Sequence, residues 1–476
     1  MQSFKLTARI ISTSLAPEEE PMKYRLFAAS AVVVGTVLIA YAAGPAGDAA
    51  LGTRSYDDFE PNEVCAECHT GLARQYEQSM MAQSFTHHWD EIEYFELALP
   101  HAEKVEKVAG VKAGCNGCHA PLAFLAGDIP PKRPAEGTRA NEGVSCDLCH
   151  SITGFEGDTP FNFNFIVDPG GTKQGVRTGT ESPGHEIASN PFLGSAEFCG
   201  TCHNEKDPWG LWVKATHLEW KESPQARAGI VCQDCHMPPA AGNSAPEAGG
   251  MDHPDVRQHL FHGAHDNGKL AGAVEVRIHS DADRVKGGGE ALFTATVVNA
   301  KAAHSIPSGS AEERLLWLDV TAVDSTGKTY NLPVDQKGFE GEEWTIASAD
   351  ALAYQDIGDI QEIDGFKGLL RDAPVPAGNR IFRLPYLDPE GRMTIAQWNT
   401  AAFGPDYRLK PLQAVNENYS WALPDEVAPG VVTVTATVWY SRVVASVAEH
   451  LKIPAEEFEP VKMSDHSVTI EVVPGA

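Results

Sequence analysis

Basic residues are in short supply in this chain of 476 residues, which has 37 Lys and Arg against 65 Asp and Glu and a formal net charge of −28. This excess of negative charge argues against nucleic acid and anionic membrane surfaces as partners, because both are themselves negative. It suits a cationic partner protein or a saline, extracytoplasmic setting. Cysteine is also confined, since none follows residue 235. The cysteine chemistry of the chain therefore belongs to its first half.

The first 21 residues contain no apolar run, and the chain then continues with a basic segment and an apolar stretch over residues 26–44. This order is typical of an export signal, with the small residues Ala40 and Ala42 placed for cleavage. The apolar stretch is also long enough to cross a bilayer. Two interpretations stay open for residues 1–44, a cleaved signal peptide or an uncleaved membrane anchor. Both predict a periplasmic or extracellular protein.

One pattern, Cys-x-x-Cys-His, uses all ten cysteines and occurs five times. It is the attachment signature of c-type haem (heme), in which two thiols hold the porphyrin and the histidine binds the iron. A single copy could also be a redox dithiol or half of a zinc site, but five copies favour five covalently attached haem c groups. The motifs are Cys65, Cys68 and His69; Cys115, Cys118 and His119; Cys146, Cys149 and His150; Cys199, Cys202 and His203; and Cys232, Cys235 and His236.

The texture of the sequence changes near residue 272. Residues 45–60 are small, polar and acidic and predict a linker, and residues 61–271 predict a pentahaem cytochrome c domain of short helices and loops wrapped around the haems. After residue 272, alternating β-branched runs at 274–278, 292–298, 315–323, 431–440 and 468–473 predict strands separated by turns. We therefore expect a mixed fold, with the haem domain followed by an all-β, immunoglobulin-like sandwich over 272–476.

Electron-carrying haems need a second axial ligand, and thirteen of the 18 histidines lie outside the motifs. Our candidates on the distal side are His185, His217, His259, His265 and His304. His259 and His265 belong to a cluster of three histidines beside an aromatic and small residues, and His304 lies at a turn in the β-rich part. His87, His88 and His101 lie in an acidic helical stretch that would look the same as a solvated helix. Met80 and Met81 offer a thioether alternative, which would raise the haem potential.

The motif segments 143–150, 198–203 and 232–238, with segment 257–265, resemble multihaem c-type cytochromes related to the tetrahaem electron acceptor of hydroxylamine oxidation. The later segments 304–309 and 315–320 resemble the β-sandwich appended to some members. Two positions depart from the family pattern, because Met81 and Gln225 stand where histidine is common. The ligand scheme of a four-haem relative does not transfer to five motifs.

The resemblance and the motif density imply an exported carrier that passes electrons between redox partner proteins, which are cationic or membrane-bound. No catalytic residue is predicted. A multihaem oxidoreductase for a small nitrogen or sulfur compound is the alternative, since an iron with an empty sixth position is reactive. A third hypothesis is a subunit of an extracellular cytochrome filament, with the sandwich as its docking element.

Overall fold

Short helices carry the haem motifs. The computed structural model describes residues 50–335, 354–355, 370–371 and 374–475. The predicted signal or anchor segment and the first residues of the predicted linker lie outside them. The helices are α1 (Asn62–Ala66), α2 (Thr70–Glu77), α3 (His88–Ile92), α4 (Leu99–Lys104), α5 (Val111–His119), α6 (Pro121–Ala126), α7 (Cys146–Cys149), α8 (Ala196–His203), α9 (Thr216–Lys221), α10 (Pro224–Arg227), α11 (Cys232–His236), α12 (Asn267–Leu270), α13 (Ala445–His450) and α14 (Ala455–Phe458).

A π-helical turn, Glu93–Ala98, joins α3 to α4. Small two-stranded sheets connect the helices of this first part. Their strands are β1 (Ile152–Phe155), β2 (Phe165–Val167), β3 (Thr172–Gly175), β4 (Glu186–Ser189), β5 (Asn204–Lys206), β6 (Trp212–Ala215), β7 (Pro239–Asn243) and β8 (Asp252–Arg257). None of the helices among the described residues is long and apolar enough to span a membrane.

The chain is β-rich from residue 274 onward, as predicted. Its strands are β9 (Val274–Ser280), β10 (Arg284–Lys286), β11 (Glu290–Asn299), β12 (Leu315–Val323), β13 (Thr329–Asn331), β14 (Tyr354–Gln355), β15 (Leu370–Arg371), β16 (Arg380–Phe382), β17 (Tyr386–Leu387), β18 (Ala402–Phe403), β19 (Ala414–Ala422), β20 (Gly430–Ser441) and β21 (Val461–Val473).

Two sheets form the main body of this part. One has the strand order β10-β21-β20-β12-β13 with β16 paired to β12, and the other has the order β19-β11-β9. Buried and accessible residues alternate along β11 and β20, so each strand turns one face inward. The inward residues of both sheets, such as Phe293 and Val434, share one hydrophobic core. The finer description as an immunoglobulin-like sandwich stays a prediction.

The described part of the predicted linker packs against α6. The backbone amides of Gly52 and Arg54 donate to the carbonyls of Phe124 (3.2 Å) and Leu125 (2.9 Å). Phe59 is 2% exposed and joins the apolar cluster around α6. Burial of this aromatic ring therefore stabilises the packing of an otherwise polar segment against α6.

A second hydrophobic core joins the helical and β-rich parts. It combines Trp89 and Leu97 from the α3–α4 region with Trp317 of β12, Ile381 of β16 and Val447 of α13. The described residues accordingly belong to one compact unit. The boundary at residue 271/272 remains a prediction based on the change in sequence texture.

We predict that Leu97→Ala lowers the free energy of unfolding of the haem-loaded protein by about 2–5 kcal/mol, because Leu97 is 1% exposed in the shared core. The measurement is chemical denaturation followed by circular dichroism. Leu292→Ala is the control, since Leu292 is 41% exposed. Equal effects of the two substitutions would contradict the shared core.

Candidate haem-binding sites

The five motifs occupy or adjoin helix ends. The last four lie on α5, α7, α8 and α11, and the first begins in α1 and ends in the turn before α2. One helical turn places side chains three residues apart on the same face, as two thioether bonds to one porphyrin require. Ser145 begins α7, and its hydroxyl oxygen accepts a hydrogen bond from the amide of Leu148 (3.3 Å). All ten cysteines are free of disulfides.

Backbone carbonyls orient four of the five motif histidines. The Nδ1 atoms of His69, His119, His150 and His236 lie 2.7, 2.9, 2.7 and 2.7 Å from the carbonyl oxygens of Ser244, Ser84, Gln174 and His262. A carbonyl only accepts, so Nδ1 carries the proton in each ring. The lone pair of Nε2 is then available to bind a metal.

Three motif histidines face a second imidazole at one repeated separation. The ring centroids of His69 and His185 are 6.3 Å apart, those of His150 and His259 are 6.2 Å apart, and those of His236 and His304 are 6.5 Å apart. Two imidazoles that bind one metal ion from opposite sides, at about 2 Å each, have centroids roughly 6 Å apart. The spacing fits one iron between each pair and is too long for direct stacking of the two rings.

The three opposing histidines are oriented in the same way as the motif histidines. Nδ1 of His185, His259 and His304 lies 2.9, 3.0 and 2.9 Å from the carbonyl oxygen of Glu186, Arg257 and Ser305. Burial lowers the pKa of His236 and His259 to about 4. Neutral imidazole, the form that binds metals, is therefore favoured at neutral pH.

The turn that contains His304 is hydrogen-bonded to the helical part through Glu219 of α9. Oε2 of Glu219 accepts hydrogen bonds from the amide of Ser305 (3.0 Å) and the hydroxyl of Ser308 (2.7 Å). Arg408 donates to its other oxygen (2.6 Å). These contacts hold the β-rich part so that His304 faces His236.

His217 is buried but does not face a motif histidine. The amide nitrogen of Asn204 donates to its Nδ1 (3.1 Å) and to the carbonyl of Pro160 (2.9 Å), while Oδ1 of Asn204 accepts from Leu218 (3.2 Å). These partners fix the orientation of the amide. Nδ1 of His217 then accepts this hydrogen bond, and its Nε2 atom is buried without a hydrogen-bond partner. The ring packs on the fourth motif, because a Cβ at Gly200 would lie 2.8 Å from its Cγ.

His265 also lies away from the motif histidines. Its ring centroid is 5.6 Å from that of His87 at an interplanar angle of 85°, and 5.8 Å from Trp89. The ring geometry does not bring His217 or His265 to a motif histidine, and their distal assignments stay predictions. Both rings pack against neighbouring aromatic side chains, a role that local sequence does not distinguish from ligation.

His119 and His203 lack a facing imidazole at the separation seen in the three pairs, although all 18 histidines fall within the described residues. Behind His119, Oδ1 of Asp90 lies 3.4 Å from Nδ1. Burial alone would raise the pKa of Asp90, but contact with His119 holds it below its ordinary value. The second and fourth motifs therefore differ from the other three.

Charged residues gather near the second motif, and Glu312 among them is buried. Nζ of Lys214 lies 3.2 Å from Oε2 of Glu205, and it also donates to Gln397. Burial raises the pKa of Glu93 and of Glu312 to about 8. The charges of Glu205, Glu93 and Lys214 all act on the Cys115 thiol. This group includes carboxyls that are protonated near neutral pH and can exchange protons there.

Neither Asp90 nor the group around Lys214 was singled out by the sequence. Asp90 is one of several acidic residues in a helical stretch, and Lys214 and Glu312 are distant in sequence. No local pattern marks them. Only the folded arrangement brings them together.

Comparison with known proteins points to one class. Residues 64–151 match the family model described as cytochrome c554 and c-prime. A search of curated proteins found no match. Among solved structures, a penta-haem cytochrome c552 from Thermochromatium tepidum aligns with a TM-score of 0.58 at 20% identity, covering 88% of this chain and 100% of that one.

Two further structures align only weakly and support no argument. They are the alkylpurine DNA glycosylase AlkC of Pseudomonas fluorescens (TM-score 0.17, 10% identity, 43% of this chain and 32% of that one) and Spo0M of Bacillus subtilis (TM-score 0.16, 11% identity, 43% of this chain and 50% of that one). The family match and the shared fold with the penta-haem protein support a multihaem c-type cytochrome with covalently bound haem c.

We predict that His304→Ala converts one haem from low spin to high spin and adds one carbon monoxide site per reduced protein, because His236 loses its facing imidazole. Optical spectra and carbon monoxide titration measure both effects. His279→Ala is the control, since this side chain is exposed on β9. An unchanged spectrum would remove His304 from the ligand scheme.

For His217→Gln we predict the reverse of His304→Ala, a change in stability without a change in haem spin state. We expect an unchanged number of low-spin haems, because the ring bonds Asn204 through Nδ1, together with a loss of stability of about 1–3 kcal/mol from the buried polar group. Electron paramagnetic resonance and thermal unfolding separate the two effects. Appearance of a new high-spin haem would show that His217 is a ligand.

Proposed function

We propose that this protein is an exported pentahaem cytochrome that transfers electrons between redox partner proteins. When bound, haem supplies one-electron chemistry at iron. The observation that carries the proposal is the set of three opposed histidine pairs at 6.2–6.5 Å. Two neutral imidazoles per site hold an iron low-spin and leave no position for a substrate, as a carrier requires.

The chain keeps the motifs close together. Sγ of Cys118, in the second motif, lies 4.0 Å from the carbonyl oxygen of Cys202 in the fourth. Side-chain interactions of the thiols also connect Cys65 with Cys146 and Cys199 with Cys232. These contacts link the first motif with the third. They also link the fourth motif with both the second and the fifth. Close motifs favour electron transfer within the protein.

The net charge of this protein predicts the charge of the proposed partner. The net charge of −28 favours encounter with a cationic redox protein, and such steering weakens as salt screens it. Export is part of the proposal because covalent haem attachment takes place outside the bacterial cytoplasm. Residues 26–44, which carry the export or anchor signal, lie outside the described residues.

A second function, reduction or oxidation of a small nitrogen or sulfur compound, is favoured by two observations. His119 and His203 have no facing imidazole among the eighteen histidines, and the group around Lys214 provides carboxyls of raised pKa and a cation near the second motif. Such groups can deliver protons and bind an anion. Turnover with nitrite, hydroxylamine or tetrathionate and a reduced dye tests this alternative.

Carbon monoxide titration of the reduced wild-type protein distinguishes the two kinds of site. We predict that at most two of five haems bind carbon monoxide, because three pairs of imidazoles fill both axial positions. A control in 0.5 M salt, about the range in which surface charge is well screened, should give the same stoichiometry. Binding at three or more haems would contradict the assigned pairs.

A further inference from the structure

A cleft of about 380 Å³ lies where the start of α3 meets α14. Its lining includes His87 and His265 from the helical part and Arg442, Glu456 and Glu457 from the end of the chain. None of these residues belongs to a Cys-x-x-Cys-His motif. His87, His88 and Glu457 each present one possible ligand atom, and those atoms all lie within 4.8 Å of one another.

The contacts within this group are short. Oε2 of Glu457 lies 3.2 Å from Nε2 of His87 and 3.3 Å from Nε2 of His88. Yet Oε2 of Glu457, Nε2 of His88 and Nδ1 of His87 are buried without a hydrogen-bond partner. The His87 side chain is only 9% exposed. Buried polar atoms without partners are costly, and a bound cation would satisfy Oε2 of Glu457 and Nε2 of His88 at once.

The backbone explains how two consecutive histidines converge. His87 precedes α3 with φ −63° and ψ 129°, an extended conformation, whereas His88 is the first helical residue. The bend at this point brings the two ring centroids to 4.4 Å at an angle of 37°. Two rings held side by side can offer Nε2 to one ion. Within a regular helix, consecutive side chains would diverge.

The surroundings complete a metal-binding arrangement. Oδ2 of Asp90 lies 3.6 Å from Nδ1 of His87, so a carboxylate lies near the ring nitrogen that does not face Glu457. The cation of Arg442 also lines the cleft, but it donates to the carbonyls of Ala264 (2.8 Å) and Glu457 (3.2 Å) and to Asn267. Its charge is thus directed toward these acceptors.

We propose that His87, His88 and Glu457 bind one divalent transition-metal ion of the zinc class, separate from the haem irons. Two imidazoles and one carboxylate form a ligand set that zinc accepts, with the remaining position open to water. Because α3 and α14 come from opposite ends of the described chain, the ion would tie the helical part to the β-rich part. The site does not depend on the proposed electron-transfer function.

The test uses the full-length, haem-loaded protein, freed of loose metal by chelator and dialysed against buffered zinc. Zinc and iron are counted together by mass spectrometry, so that each sample reports its own haem content. We expect one saturable zinc ion per five irons. His88→Gln and Glu457→Gln should each weaken this binding at least tenfold.

Glu456→Gln is the matched control, because it removes the same charge from an exposed residue of the same cleft. It should leave zinc binding unchanged. Zinc should also raise the unfolding temperature of the wild type and of Glu456→Gln, but not that of Glu457→Gln. If zinc does not bind saturably to the wild type, or if Glu457→Gln and His88→Gln both bind it like the control, the proposal is wrong.

Discussion

The separation between facing imidazoles is the constraint on which the rest of the helical part depends. Three pairs of rings stand 6.2–6.5 Å apart, too far for contact and close enough for one iron. A backbone carbonyl fixes the protonated nitrogen of every ring in these pairs. The segments that supply carbonyls to the motif histidines, around Ser244, Gln174 and His262, are therefore part of the site although these three residues bring no ligand.

The third pair also explains why the helical and β-rich parts pack as one unit. His236 belongs to α11, and its facing residue His304 comes from a turn of the β-rich part. Glu219 holds that turn through Ser305 and Ser308, and the apolar core around Trp317 and Leu97 covers the adjoining surface. Loss of docking would therefore remove an axial ligand. Structural stability and haem chemistry are linked at this point.

Much of the fold was predictable because its signals are local. The Cys-x-x-Cys-His pattern locates each motif from five consecutive residues, and alternating apolar residues located the strands β9, β11, β12 and β20 within about two residues of their bounds. β21 begins earlier than predicted, at Val461, because polar residues such as Asp465 occupy its accessible face. The pattern of burial there is less regular than in β20.

The facing imidazoles were less predictable because they depend on tertiary contacts. His185, His259 and His304 face motif histidines, whereas His217 bonds Asn204 and His265 packs against His87. The sequence around His217, beside an aromatic residue on a helix, looks as favourable as that around His185. What separates them is the partner of Nδ1, an amide nitrogen in one case and a carbonyl oxygen in the other. That difference exists only in the folded chain.

The central claim is that three histidine pairs each enclose one haem. Quantitative electron paramagnetic resonance of the oxidised, haem-loaded wild-type protein tests it most directly, because paired imidazoles give low-spin signals distinct from those of irons with one histidine. We expect three bis-histidine low-spin haems among five. Four or five bis-histidine signals, or fewer than three, would contradict this arrangement.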